Sequence, residues 1–263
     1  MFMSYEFVFD GVSSEMYGLH VYDIGSTKQK ASSFANKASI KETRLINRVQ
    51  PLHFGVNYHE SPLEFTLVFG AVDRAIDRYE MEEIALWLTG HSTYKWLQIC
   101  QPDMDNRLFR CLITQLTPVH IGWLPHAFEA TVRCDCPYAY SFPFVKQYQI
   151  KNETTIVFSN ASTCHEYLKP VLTITPASGV TTFSIRNEND GGRTFALTNL
   201  PASGIKIAVD SQTGIIRELN FNTNLYGGFN MNFMRFVQGD NLLVVNGDGE
   251  LLIEGRYLYN VAG

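Results

Sequence analysis

Hydrophobic and polar residues alternate with a period of two along most of this chain. The alternation is clear in ESPLEFTLVFG (60–70), KWLQICQ (95–101), RLFRCLITQL (107–116) and HAFEATVRCDC (126–136). In the first of these stretches, four apolar side chains share one face: Leu63, Phe65, Leu67 and Phe69. Such alternation predicts half-buried β-strands, so the chain is predicted to be mainly β.

One stretch, DRAIDRYEMEEIALWL (73–88), breaks the alternation. Its apolar residues recur at helical spacing, at Ile76, Ile84, Trp87 and Leu88. Asp73 is a suitable N-cap, and Gly90 stands where a C-terminal cap belongs. The spacing therefore predicts a single helix over residues 73–88.

Beyond residue 145 the spacing of turn-forming residues becomes short and regular. Turns are predicted at six places: Pro176–Gly179, Asn187–Gly192, Asn199–Gly204, Asp210–Gly214, Tyr226–Gly228 and Asn246–Gly249. Short β-branched or aromatic runs lie between them, which is typical of a β-sandwich or barrel, here of the jelly-roll kind. The sequence NGDG at 246–249, between LLVV and ELLIE, predicts a β-hairpin.

The stretch CPYAYSFPF (136–144) lies between the part with alternating stretches and one helix and the part with short, regularly spaced turns. Pro137 and Pro143 are unsuited to a central strand and stiffen a connection. We therefore predict two domains, an N-terminal β-sandwich-like domain with one helix (1–143) and a C-terminal β-sandwich (144–263). An exposed aromatic ligand site is the alternative interpretation of this stretch.

Composition narrows the possible functions. The chain has 263 residues, a net charge of -5 and 13% aromatic residues. The acidic balance, without a cluster of Lys and Arg, argues against nucleic-acid binding. Neither a secretory signal nor an apolar run of membrane-spanning length is present, so no membrane insertion is expected. Five scattered cysteines suit synthesis in a reducing cytoplasm.

A search for catalytic or metal-binding motifs finds no convincing active site. The pair Cys134-x-Cys136 places both sulfurs on one strand face, and His126 and Cys111 are conceivable further zinc ligands, but structural thiols are favoured. Asp103 and Asp105 resemble the paired carboxylates of glycoside hydrolysis, although a solvated hairpin tip is favoured. His165 and Glu166 begin a zincin-like motif that no second His completes.

The acidic residues near the C-terminus do not match a calcium loop either. They are Asp240, Asn246, Asp248 and Glu250, and turn chemistry explains their spacing better. We therefore predict neither catalytic, cofactor-binding nor metal-binding residues, and no cofactor.

Four stretches, taken together, resemble the distal tail protein family of phages infecting Gram-positive bacteria. They are FVFDGVSSEMYGLHV (7–21), QPLHFGVNYHESPLEFTLVFG (50–70), the helix with the following TYKWLQI (93–99), and CDCPYAYS (134–141). They occur in the family's order over residues 5–141. The chain departs from the family pattern at Cys136, where the family has Ser.

The resemblance implies a structural hub at the virion tail tip and no enzymatic activity. It implies that the first domain forms a homo-hexameric ring and that the second is a galectin-like domain. The implied partners are the tail tube protein, the tape-measure side and the tail-associated hub protein, with receptor-binding proteins in some phages. The polar stretch STKQKASSFANKASI (26–40) is then interpreted as an extended segment that reaches a neighbouring subunit.

A galectin-like second domain also raises the alternative of a carbohydrate-binding module for host cell-wall glycans. All three tryptophans, Trp87, Trp96 and Trp123, lie in the first domain. The candidates for a sugar-binding surface are therefore the aromatic residues of LYGGFNMNFMRF (225–236): Tyr226, Phe229, Phe233 and Phe236. A polysaccharide-active enzyme, based on Asp103 and Asp105 alone, is the third hypothesis.

Overall fold

A computed structural model describes residues 6–24, 38–58, 61–102, 104–201, 204–221 and 223–261. The chain divides into two compact units. Unit 1 runs to Tyr140 and also takes in the C-terminal residues from Tyr259, and unit 2 comprises Ser141–Leu258. Antiparallel sheets dominate both, which confirms the prediction of a mainly β protein. Within the described ranges no helix is long and apolar enough to cross a membrane.

Unit 1 is built on one large antiparallel sheet. The strands of unit 1 in chain order are β1 (Phe7–Phe9), β2 (Val12–Ser13), β3 (Leu19–Ile24), β4 (Ala38–Thr43), β5 (Leu52–Tyr58), β6 (Glu64–Ala71), β7 (Lys95–Ile99), β8 (Leu108–Ile121), β9 (Leu124–Cys134) and β10 (Tyr138–Tyr140). The order across the sheet is β2-β1-β7-β8-β9-β6-β3, and β10 pairs with β8. Among the described residues, β4 and β5 pair only with each other, and they form a separate hairpin.

The core of unit 1 follows the predicted alternation. Phe7, Phe9, Leu67 and Phe69 are fully buried. The Trp87 ring stacks on Phe7 at 5.6 Å, and its indole N–H donates to the Phe9 carbonyl at 3.2 Å. Burial of aromatic side chains of this size is a major contribution to the stability of the unit.

The helix α1 (Arg78–Thr89) is shorter than predicted and starts later. Its N-cap is Asp77 and not Asp73. Asp77 accepts from the Glu80 backbone N–H while the Glu80 side chain accepts from the Asp77 backbone N–H, a capping box that fixes the start. Asp73 has a positive φ of 58°, which no helix start can use. The predicted C-cap, Gly90, is correct.

Unit 2 is a sandwich of two antiparallel sheets, as the turn spacing predicted. Its strands are β11 (Phe144–Ile150), β12 (Glu153–Asn160), β13 (Val171–Pro176), β14 (Phe183–Asn187), β15 (Arg193–Leu197), β16 (Ile207–Asp210), β17 (Ile215–Glu218), β18 (Gly239–Asn246) and β19 (Gly249–Gly255). One sheet has the order β11-β19-β13-β16-β17 and the other β12-β18-β14-β15. A continuous apolar core fills the space between their inner faces.

The NGDG stretch does not form the predicted hairpin. It joins β18 to β19, and these strands lie in opposite sheets, so the connection is an arch between the two layers. Gly249 has a φ of 145°, and a Cβ there would lie 2.4 Å from the Thr175 carbonyl oxygen. Glycine is needed at this position because another strand's backbone approaches closely, which local turn signals do not reveal.

The last strand, β20 (Leu258–Asn260), pairs with β10 at the large sheet of unit 1. The Arg107 guanidinium lies 3.6 Å from the centre of the Tyr259 ring, a cation–π contact within unit 1. The return of the C-terminus to unit 1 was not indicated by the sequence, because three residues carry too little periodicity.

A buried amide network fastens the segment before β18 in unit 2. The Asn241 side chain accepts from Asn187 Nδ2 at 2.9 Å and from the Val237 backbone N–H at 2.9 Å, and it donates to the Val237 and Gly239 carbonyls. Asn187 and Asn241 are both fully buried. Val237 is half-buried and Gly239 is exposed, so the bond between the two buried amides is the one that water replaces least readily.

The Glu218 carboxylate, at the end of β17, provides a pH-dependent contribution to stability. Burial raises the pKa of this carboxyl, but backbone N–H groups of Asn220, Phe221, Thr223 and Lys206 donate to it and hold its pKa below the usual value. A carboxyl whose pKa is lower in the folded state stabilises above the unfolded pKa, about 4.3, and this stabilisation is lost as the pH falls through the folded pKa.

We therefore expect Glu218→Gln to destabilise unit 2 at neutral pH by more than at about pH 3. The measurement is the urea midpoint of the far-UV circular dichroism transition of wild type and variant across this range. Parallel pH profiles for the two proteins would contradict the assignment.

Candidate functional site

The cysteines that the sequence singled out are core residues of unit 1. Cys111 and Cys134 face each other on β8 and β9, and both are buried. Burial raises the pKa of Cys111 to about 12 and that of Cys134 further, so both thiols stay protonated at neutral pH. Burial also raises the pKa of Cys136, whose thiol donates to the Tyr138 carbonyl at 3.2 Å. These thiols are poor nucleophiles and poor metal ligands.

The described candidate carboxylates lie in turns and in contacts with neighbouring strands. Asp105 lies in an exposed turn between β7 and β8, where its backbone carbonyl accepts from Gln98 Nε2 at 3.0 Å; Asp103 lies outside the described residues. Asp248 accepts from the Asn152 backbone N–H, and Glu250 accepts from Gln147. Among the described residues no group of three or more His, Cys, Asp or Glu side chains could hold a metal ion.

The aromatic residues of 225–236 do not form an exposed surface. Phe229 and Phe236 are buried, and Phe233 packs against the core of unit 2. Tyr226 is 44% exposed, and its hydroxyl accepts from the Ile216 backbone N–H at 3.3 Å. One partly exposed tyrosine does not provide the stacking platform that glycan recognition by this stretch requires.

The aromatic residues of CPYAYSFPF are divided between the two units. Tyr138 is buried in unit 1. Phe144 stacks on Tyr257 at 4.4 Å within unit 2. Phe142, between them, is 49% exposed. The stretch is therefore a connection in which Tyr138 and Phe144 pack into different units and Phe142 is exposed.

The hairpin of β4 and β5, residues 38–58, carries apolar side chains that no other described part of the chain covers. We call this hairpin the arm. None of its side chains whose burial the structure describes is buried. Its exposed large apolar side chains are Ile40, Leu45, Ile46, Val49, Phe54 and Val56.

Of the stretch 26–40 predicted to reach a neighbour, residues 26–37 lie outside the described residues, and residues 38–40 begin β4.

Three of these side chains are neighbours in the hairpin. Ile40 and Val56 are directly paired across it. Phe54 is the extra residue at the register shift between the pairs Lys41–Gly55 and Glu42–His53. Ile40 is 62% exposed and Phe54 is 65% exposed. An isolated two-stranded hairpin is only marginally stable in water. Contact of these apolar side chains with another surface would therefore stabilise the hairpin.

A second exposed apolar surface lies at the turn between β8 and β9. We call residues Val119–Leu124 the tip. Ile121 is 70% exposed and Trp123 is 94% exposed, and Val119 and Leu124 are also exposed. Gly122 has a φ of 66° at the first turn position, which suits a tight two-residue hairpin turn. The last rung that β9 shares with β6 is Gly70–Ala127, so the tip extends beyond the sheet.

The alternation identified parts of β8 and β9 on either side of the tip, but it did not predict the hairpin of β4 and β5, and it missed both surfaces. The alternation says which side chains share a face, and it does not say whether another part of the chain covers that face. One signal was available for the tip: a tryptophan in the tight turn Ile-Gly-Trp-Leu has no core to enter.

Comparison with known proteins identifies related domains. A family model described as "Phage tail protein N-terminal domain" matches residues 2–136. A second, described as "Phage tail C-terminal domain", matches residues 138–254. None of the curated proteins matches the chain.

Two solved structures share the fold at low sequence identity. The crystal structure of the Dit protein of phage SPP1 aligns with a TM-score of 0.71 and 9% identity, covering 97% of this chain and 100% of that one. A chain of the phage p2 baseplate in its activated conformation aligns with a TM-score of 0.51 and 9% identity, covering 96% and 97%. At these identities the likeness is one of fold.

Proposed function

This chain belongs to the phage tail protein family, and from that premise we propose that it is a distal tail hub without enzymatic activity. In this proposal six copies close into a ring at the tail tip. The ring connects the tail tube and the tape-measure side to the tail-associated hub protein and the host-adsorption apparatus. Unit 1 forms the ring, and the galectin-like unit 2 lies outside it.

The observation that carries the proposal is the group of exposed apolar side chains on the arm. Ile40, Phe54 and Val56 are exposed on one hairpin, and their burial against a neighbouring chain is favourable. A ring of identical subunits provides that cover, because each copy presents the same arm to the next one.

The edges of the large sheet support the same proposal. Strand β7 pairs with β8 only as far as Lys95–Cys111, whereas β8 continues to Ile121. Beyond Cys111 the outer edge of β8 has no strand partner in the described part of the chain, and β3 at the other end pairs only with β6. Two different open edges on one subunit permit head-to-tail sheet pairing between copies.

The fold gives further support. The SPP1 Dit protein is described as a paradigm of the hub adsorption apparatus in phages that infect Gram-positive bacteria. Its whole chain aligns with nearly all of this one. The proposal transfers the hub role on the basis of the family and this shared two-unit architecture.

The test is the mass of the purified chain in solution, measured by light scattering over a concentration series with negative-stain imaging of the largest species. We expect a species of six times the 29.8 kDa chain mass that forms rings with an open channel. If the chain alone stays smaller, the tail tube protein of the same phage is added. The absence of rings under both conditions contradicts the proposal.

A further inference from the structure

We infer that the tip of one copy docks on the exposed apolar side chains of the arm of the neighbouring copy, with Trp123 against Phe54. This inference rests on the proposed ring and names the side chains that hold its subunits together. It concerns two surfaces of unit 1, and each is described above by its own residues.

The chemistry of the tip limits its partner. Residues 111–128, which include the tip, contain no Asp, Glu, Lys or Arg. Nucleic acids and anionic lipid surfaces are bound by clusters of Lys and Arg, which this segment lacks. A strongly exposed tryptophan flanked by Ile121 and Leu124 is the composition of a protein-interface anchor.

The tip is rigid enough to serve as an anchor. Strands β8 and β9 are paired from Cys111–Cys134 to Ile121–Leu124. The base of the projection is held by Phe128, which is buried, and by the Ile76 backbone N–H, which donates to the Pro125 carbonyl at 2.8 Å. A preformed projection loses little conformational entropy on docking.

The arm offers a surface of matching polarity. Ile40, Phe54 and Val56 are exposed apolar side chains of the arm, and the charged side chains Lys41, Glu42 and Arg44 are exposed beside them. Apolar anchors surrounded by charged residues are the usual anatomy of a specific interface. Since the tip carries no charge, it covers these apolar side chains without leaving a buried charge of its own unpaired.

The tip and the arm are different patches of one chain, so their contact between copies is heterologous. Contacts of this type lead from each subunit to the next and close into rings when the rotation permits. The same contact covers both exposed apolar surfaces of unit 1 at once, which a contact of either surface with itself does not achieve.

The experiment compares self-association of wild type, Trp123→Ala, Phe54→Ala and the double variant by analytical ultracentrifugation. The control is Tyr79→Ala, because Tyr79 is 80% exposed on α1 and belongs to neither surface. We expect each single substitution to weaken association at least tenfold, as for an interface hot spot, and the control to leave it unchanged. Because the two side chains are proposed to touch, the double variant is expected to associate only about twofold more weakly than the weaker single variant.

A spectroscopic measurement checks the same contact without loss of side-chain volume. Acrylamide quenching of Trp123, obtained by subtracting the signal of Trp123→Phe, is expected to fall as wild type assembles. Quenching that stays constant during assembly overturns the inference. It is also overturned if the single variants associate as strongly as the Tyr79→Ala control, or if the fold-changes of the two single variants multiply in the double variant.

The outcomes separate this inference from the proposed function. Rings that form equally well in all variants overturn the contact and leave the hub intact. Wild-type protein that stays monomeric at every concentration overturns the contact as well, and the addition of the tail tube protein then tests the hub by itself.

Discussion

Replacement of Phe69 by alanine is expected to destabilise unit 1 by about 3–5 kcal/mol, as for large aromatic side chains in other cores. Phe69 is fully buried on β6, and its ring lies 5.0 Å from Phe7 and 5.7 Å from Phe128. The substitution removes both contacts, and strands from β1, β6 and β9 surround the resulting cavity, so it cannot collapse without shifting the sheet.

Tryptophan fluorescence during urea unfolding measures this effect selectively. All three tryptophans lie in unit 1, and residues 141–258 contain none. Tyr79→Ala on α1 is the control, because Tyr79 is 80% exposed and exposed positions usually change stability by less than about 1 kcal/mol. If Phe69→Ala and Tyr79→Ala shift the midpoint equally, Phe69 does not have the core role assigned to it.

The second large effect is expected for Asn241→Ala, at about 1–3 kcal/mol in unit 2. The substitution removes the hydrogen bonds of this amide to the Asn187 side chain, the Val237 backbone N–H and the Val237 carbonyl. Asn187 and Asn241 are fully buried, and a buried polar group that loses a partner costs about 1–3 kcal/mol.

Asn230→Ala is the matched control for this variant. The Asn230 side chain also makes several hydrogen bonds to backbone, with the Ala196 N–H, the Thr194 carbonyl and the Asn232 N–H, but Asn230 is exposed. Water replaces the lost amide there, so we expect a cost below about 1 kcal/mol. The far-UV circular dichroism transition of unit 2 measures the stability change of both variants. Equal shifts of the transition for Asn241→Ala and Asn230→Ala would show that burial of the amide does not decide the loss of stability.

Several structural features could be predicted from the sequence because their signals are local. The period-two pattern identified the strands and the core positions Phe7, Phe9, Leu67 and Phe69, since alternate side chains of a strand point to one face. The helix was found from its spacing, and its start was misplaced because Asp73 and Asp77 are equally good caps until the capping box with Glu80 is seen.

The candidate chemistry was decided by burial, which a single sequence does not report. Cys111 and Cys134 are core residues whose burial raises the pKa of their thiols, and Phe229 and Phe236 are also core residues. The arm and the tip were missed as surfaces for the same reason, because the sequence does not distinguish an exposed Phe54 from a buried Phe69.

The sequence by itself determined the strand positions, the change of texture near residue 140, the single helix and the resemblance to phage distal tail proteins. Only the tertiary structure decided that NGDG joins two sheets, that β20 returns to unit 1, and that the arm and the tip lack cover within the described chain. Strand pairing and cover join residues far apart in sequence, and the alternation along one strand contains no information about which distant strand lies beside it.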